Sequence, residues 1–245
     1  MTKIEIQYNY NKQINRFTYT KRKMPKIISI EGNIGAGKTT ILSKLEEKYH
    51  GDASVIFIKE PVDVWERVCD STGENILQKF YQNPHKYAFP FQVLAYITRY
   101  SSIAKVVREN PDCRIIVCER SLDADYNIFA KMLFDDGLID EVCFQIYKKI
   151  YDEYASMFPV SKIVYINADA EVCAKRITKR AREGEADIPL DYLQKCKKYH
   201  DEWLVMEDSV MAKNVMCIGT NQDATYQQGD VGNDWIRWIS EYIEC

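Results

Sequence analysis

Eight consecutive residues carry the clearest chemistry in the chain. Gly32, Asn33, Ile34, Gly35, Ala36, Gly37, Lys38 and Thr39 fit the spacing G-x-x-x-x-G-K-[ST]. Glycines let a backbone fold around phosphates with its N–H groups pointing inward, and a following helix adds its N-terminal dipole. Lys38 can reach β- and γ-phosphates, and the Thr39 hydroxyl suits Mg²⁺. The flanks match that mechanism. Ile27, Ile28 and Ile30 form the β-branched run of a buried strand, and Ile41, Leu42 and Leu45 give one face of a helix. The stretch implies binding of a nucleoside triphosphate.

Other reactive residues fall where strands should end. Lys59-Glu60-Pro61 closes an apolar run over 54–58, so Pro61 stops the ladder and leaves Glu60 at a carboxyl edge. Trp65, five residues on, can wall a site there. A third run, RIIVC over 114–118, ends in Glu119-Arg120-Ser121 where many phosphate-loop proteins carry Asp. Gln92, Ala95 and Arg99 are spaced to share one helix face. That face suits a planar polar ligand or solvent equally. Arg176 and Arg180, at i and i+4, read as a solvated helix face or as guanidiniums forking onto phosphates.

These residues need a frame. At 245 residues, one α/β domain with a sizeable core is the economical organisation. Apolar runs at 27–30, 54–58, 114–118, 162–167 and 215–218 alternate with helical patterns. They predict a five-stranded parallel sheet with helices on both faces. Pro84 and Pro90 mark breaks or kinks in a helical stretch over 73–109. Further helices are predicted over 122–134 and 139–157, and the second carries the apolar stripe Ile139, Val142, Ile146, Ile150 and Tyr154, read as core or as a subunit contact. Residues 1–25 form a basic, solvated tail ahead of the domain at 26–245.

Composition narrows the classes. A net charge of −3 gives no broad case for nucleic-acid binding. No apolar run reaches the length of a membrane span, and no signal-peptide core opens the chain. Eight cysteines without CxxC pairs fit a reduced intracellular, most simply cytoplasmic, setting and argue against a zinc site.

Six segments in order resemble one family. SIEGNIGAGKTT (29–40), EPVDVW (60–65), NILQKFYQNP (75–84), FQVLAYITR (91–99), ERSLDADYNIFA (119–130) and RITKRAREGEADIPLDYL (176–193) resemble the deoxyribonucleoside kinases of the deoxycytidine/deoxyguanosine kinase and insect multisubstrate kinase type. The likeness covers about residues 26–243. It implies a P-loop kinase fold with an arginine-rich lid, ATP or another triphosphate as donor, Mg²⁺, and a homodimer. By the same resemblance, Glu60 is the general base for a deoxyribonucleoside 5′-hydroxyl, Arg120 stabilises charge beside it, and Glu119 helps Thr39 hold Mg²⁺. Thr40 completes the phosphate loop, and Arg176, Arg180 and Arg182 form the lid over the donor phosphates. Tyr81 and Glu185 match residues bonding the sugar 3′-hydroxyl. Gln92 reads the base between Trp65 and Phe129, with Leu77 in the lining.

Arg99 and Asp125 match a pair at the back of the base pocket in the deoxycytidine/deoxyguanosine branch. Their chemistry points to deoxycytidine, with purine deoxynucleosides accepted and thymidine poor. The lid departs from the family in one place, reading Arg180-Ala181-Arg182 where many members have Gly between the arginines. The loop over 220–234 leaves the donor base open. Other readings are a thymidine-preferring enzyme, a nucleoside-monophosphate kinase, or a nucleotide-dependent switch without catalysis. A monophosphate acceptor needs its own cationic clamp and would be repelled by Glu60. A switch would carry switch loops built on a DxxG element.

Overall fold

The computed structural model describes residues 24–181, 188–205 and 214–245. Residues 1–23 of the basic tail, and the predicted site residues Arg182 and Glu185, lie outside the described residues.

The chain runs β1 (Lys26–Gly32), α1 (Lys38–Lys48), β2 (Val55–Ile58), α2 (Val62–Glu66), α3 (Ile76–Gln82) and α4 (Pro84–Glu109). It continues through β3 (Ile115–Glu119), α5 (Leu122–Ala124), a π-helical turn (Asp125–Ala130), α6 (Lys131–Asp135) and α7 (Glu141–Tyr154). The last elements are β4 (Val160–Asn167), α8 (Ala170–Arg180), α9 (Leu190–Leu204), β5 (Val215–Gly219) and α10 (Val231–Glu244). The five strands pair in parallel in the order β2-β3-β1-β4-β5, as the alternating pattern predicts.

Alternation along β1 divides the core. Ile28 and Ile30 face a cluster with Leu42, Ile177 and Ile239 from α1, α8 and α10. Ile27 faces the opposite layer, with Tyr96, Ile103 and Tyr147 from α4 and α7. A third cluster, Trp65, Leu77, Phe80 and Phe91, packs α2, α3 and α4 over the sheet edge. With β1 between β3 and β4, the carboxyl ends of the strands open at the topological switch point where open α/β sheets bind ligands.

Three expectations change in detail. Pro84 separates α3 from α4 and sits at the first turn of the new helix, but Pro90 lies inside α4, which continues to Glu109. The buried face running through Phe91, Gln92, Ala95, Tyr96, Arg99 and Ile103 holds that helix together despite the proline. The helix predicted over 122–134 is interrupted by the π-turn. The stripe on α7 is not plain core, because Val142 is 66% and Ile146 47% exposed. All eight cysteines are free thiols, and among the described residues no helix is long and apolar enough to cross a membrane.

Candidate active site

A cleft of about 1210 Å³ opens at the carboxyl ends of the strands. It exceeds the usual volume of a one-ligand pocket, so it has room for two substrates end to end. Its floor is the loop between β1 and α1. Gly37 caps α1 with φ 103°, and Gly35, at φ 80°, lets α8 approach closely, since a Cβ there would stand 2.6 Å from the Cys173 carbonyl oxygen. Asn33 Nδ2 donates to the Leu193 carbonyl at 2.8 Å and fixes the loop to α9. Lys38 Nζ donates to the Asn33 carbonyl at 2.9 Å, closing the loop on itself. Burial and neighbouring Arg120 pull the Lys38 pKa down to about 8, against the opposing pull of Glu119, Glu60 and Glu31.

Two oxygen-bearing side chains stand at the loop's edge. Thr39 Oγ1 donates to Glu119 Oε1 at 2.8 Å, with Glu119 buried at the end of β3. Hard oxygen donors on the phosphate side of a cleft suit a divalent cation such as Mg²⁺, which takes few protein ligands and relies on substrate phosphates. Thr40, Ile34 and Ala36 line the same wall. Gly32 ends β1 with φ 149°.

Opposite the loop, Glu60 is held between two arginines. Its Oε1 accepts from Arg99 Nη2 at 2.5 Å and from Arg120 Nε at 3.2 Å. Burial alone would raise the Glu60 pKa, but Arg120, Arg99 and Lys38 together lower it to about 2. Arg120 lies 4.5 Å over the Phe129 ring, and its buried Nη1 has no hydrogen-bond partner among the described residues. Arg120 thereby pairs with Glu60 through Nε and keeps one buried donor uncommitted among the described residues.

The remaining predicted residues settle around a planar slot. Gln92, Ala95 and Arg99 are all buried and face the cleft, which decides against a solvated face. The Gln92 Oε1 is buried without a partner among the described residues. Arg99 also donates to Asp125, through Nη1. Burial raises the Asp125 pKa to about 6 although Arg99 pulls it down. The π-turn brings Asp125 and Phe129 to the cleft while Ile128 and Met132 stay in the core, a device common at functional sites. Trp65 Nε1 donates to Thr98 Oγ1 at 2.9 Å and packs edge-on against Phe91. Leu77 and Tyr81 complete the slot.

The helix α8 supplies Arg176 and Arg180 to the phosphate end of the cleft. Arg176 donates to the Ala36 carbonyl at 3.3 Å, to the Gln222 carbonyl at 3.0 Å and to Asp223 at 3.3 Å. Asp223 belongs to the loop whose role the sequence left open. Sequence reasoning also missed Phe80, Phe91 and Tyr192 as cleft walls. Tyr192 faces Tyr81 edge-on at 6.3 Å and lies in a segment already singled out, IPLDYL, so proximity to the lid was the available signal.

The chain is similar to known proteins over most of its length. The family model described as deoxynucleoside kinase matches residues 28–242. The chain is 34% identical over 182 residues to a probable deoxycytidine kinase of Fowlpox virus (strain NVSL), covering 73% of this chain and 72% of that protein. It is 32% identical over 223 residues to deoxycytidine kinase of Mus musculus, covering 81% and 85%. Mitochondrial deoxyguanosine kinase of Xenopus laevis is 25% identical over 235 residues, 87% of this chain and 88% of that protein.

Proposed function

Because the chain belongs to the deoxynucleoside kinase family, we propose that it transfers the γ-phosphoryl group of ATP or another nucleoside triphosphate to the 5′-hydroxyl of a deoxyribonucleoside, with deoxycytidine preferred. The observation that carries this reading is the meeting of Glu60, Arg120 and Lys38 where the base slot joins the phosphate loop.

The acceptor base fits between Trp65 and Phe129, with Gln92 addressing its edge and Arg99 and Asp125 at the back. Tyr81, with Glu185 by resemblance, takes the sugar. This pose directs the 5′-oxygen at Glu60. Phosphoryl transfer through a loose transition state needs alignment and charge neutralisation more than covalent help. Glu60, held well below the usual carboxylate range by Arg120, Arg99 and Lys38, is ionised near neutrality and only weakly basic. That suffices where the hydroxyl proton leaves late, and the carboxylate's first task is to orient the attacking oxygen. Backbone N–H groups of 32–39, Lys38, and the free Nη1 of Arg120 face the charge that develops on the γ-phosphoryl. Arg176 and Arg180, with Arg182 by resemblance, close over the donor.

Thr39 and Glu119 are the residues that would hold Mg²⁺, which when bound neutralises charge on the donor phosphates. A homodimer is supported by exposed apolar side chains on α4 and α7, among them Ile97, Val142, Ile146 and Tyr154. Incubating the protein and Mg²⁺ with γ-labelled ATP and a panel of nucleosides and nucleoside monophosphates tests the reading. Label should move to deoxynucleosides, deoxycytidine first; label on monophosphates alone would overturn it.

A further inference from the structure

Glu31 is a wholly buried carboxylate at the end of β1 that the mechanism above does not use. It is 0% exposed, and so is Ser29. Its Oε1 accepts two hydrogen bonds, one from the Ser29 hydroxyl and one from the Ser121 backbone N–H at 2.8 Å. Its Oε2 has no partner among the described residues. No ion pair joins Glu31 to a cation among the described residues, so its visible contacts go to one serine side chain and to the backbone just after Arg120.

That backbone is unusual. Arg120 has φ 70°, in the left-handed region that a side chain with a Cβ disfavours. Such a conformation persists only where its surroundings over-determine it. Here both flanking N–H groups are captured. Arg120 N–H donates to the Ile30 carbonyl at 3.1 Å, extending the β1–β3 ladder by one residue. Ser121 N–H donates to Glu31, and the Ser121 hydroxyl accepts from Ala124 N–H at 3.0 Å, capping α5. A peptide pinned at consecutive N–H groups has one direction in which to send the intervening side chain. That direction takes the guanidinium over Phe129 and onto Glu60.

We propose that Glu31 is a positioning residue for Arg120. It holds the left-handed turn that points the guanidinium into the cleft, and the inference rests on the reading of Arg120 as the group beside the transferring phosphoryl. Toward this turn the carboxylate works as a hydrogen-bond acceptor, beside the smaller pull of its charge on Lys38, so an amide oxygen of the same reach should hold the turn.

The test is a mutant cycle with steady-state kinetics, donor binding and thermal melts on the full chain. Glu31→Gln should keep kcat within about threefold of wild type, while Glu31→Ala should lower kcat about 10- to 100-fold, as expected when a reacting group is misplaced by about an ångström. Donor Kd should change far less than kcat in both, since no side chain of the phosphate loop is replaced. In an Arg120→Ala background, Glu31→Ala should add less than about threefold, because the group it positions is gone. If Glu31→Ala does not fold, Glu31→Met, which keeps the volume, takes its place, and failure of both to fold overturns the proposal. So does an unchanged kcat in Glu31→Ala, or the same loss with and without Arg120. If Arg120→Ala itself retains wild-type kcat, it is the reading of Arg120 that fails, a separate outcome.

Discussion

The Arg99 guanidinium donates to Glu60 at 2.5 Å with one nitrogen and to Asp125 with the other. One cation thereby joins the back of the base slot to the carboxylate at the reacting end. The resemblance pairs Arg99 with Asp125 but does not foresee the link to Glu60. A change at Asp125 is therefore felt by Glu60 through its pKa and its orientation.

Glu60→Gln should nearly abolish turnover while leaving donor binding in place. The amide keeps the shape but cannot take the proton, and loss of general-base help costs about 10²- to 10⁴-fold. The amide also no longer balances Arg99 and Arg120, so part of the loss is misalignment. Steady-state kinetics with a donor-binding titration checks both, and kcat within threefold of wild type would remove Glu60 from the role.

Lys38 sets the alkaline side of donor use. With its pKa near 8, the free enzyme loses the ammonium above that pH. Donor kcat/KM should fall as pH rises through about 8, whereas kcat should hold to higher pH because bound phosphates favour the charged form. Stability moves the opposite way. The folded pKa lies below the ordinary value of 10.5, so the unfolded chain binds more protons between 8 and 10.5, and this group's contribution to stability rises across that window. Lys38→Ala should weaken donor binding and erase the alkaline limb.

Ala181 ends α8 with φ 50° and ψ 41°, the left-handed geometry of a helix cap. The sequence marked this position as a departure, and the structure gives the departure a cost. Ala181→Gly should relieve strain of about 1 kcal/mol, partly offset by the greater freedom of glycine in the unfolded chain. A melting temperature about 1–3 °C higher is expected. A lower one would show that the alanine is unstrained.

The sheet was legible because its information is local. β-branched runs such as 27–30 and 162–167 are bounded by charged or polar residues, and all five strands appear where those runs lie. The phosphate loop was equally legible, since a fixed spacing between strand and helix carries its chemistry. The face of Gln92 and Arg99 was undecidable from periodicity, because a polar helix face looks the same against solvent as against a polar ligand. Only the packing of α3 and the π-turn against α4 resolves it. The π-turn was invisible, since it shifts helical register by one residue without a glycine or proline to announce it. The Glu31–Ser121 bond joins residues 90 positions apart and leaves no pattern in either segment.

The exposed stripe on α7 predicts assembly. Ile146, 47% exposed, sits between Val142 and Tyr154 on one face. Ile146→Asp should convert a dimer to a monomer in sedimentation equilibrium, with little change in the monomer's fold because the side chain is not in the core. A wild-type chain that is monomeric at tens of micromolar would refute the pairing.

The final expectation concerns base choice, and Arg99 makes it asymmetric. Asp125 when ionised only accepts hydrogen bonds, so it matches the amino group of cytosine or adenine and opposes the O4 of thymine. Removing Asp125 alone leaves Arg99 still paired with Glu60. Removing Arg99 alone strands Asp125, buried and already raised to about 6. Without its cation that carboxyl should rise further and hold its proton near neutrality. A group whose folded pKa exceeds its unfolded value supports the fold below the unfolded pKa and loses that support as pH rises through the folded one. Arg99→Met should therefore lose stability relative to wild type as pH climbs from 5 to 8, by up to about 3–5 kcal/mol, the usual cost of an uncompensated buried charge. Asp125→Ala should be milder at every pH. Only Arg99→Met with Asp125→Ala removes both the carboxylate that would oppose O4 and the guanidinium that would stand against a 5-methyl group in the proposed pose. This double variant should raise the thymidine-to-deoxycytidine ratio of kcat/KM by at least about tenfold, since an unmatched polar contact is worth more than a methylene. It should also lower kcat on every nucleoside, because Glu60 loses one of its two arginines. Parallel kinetics on thymidine and deoxycytidine for wild type, both single variants and the double decide it, and a wild type already better on thymidine would overturn this account of the pocket.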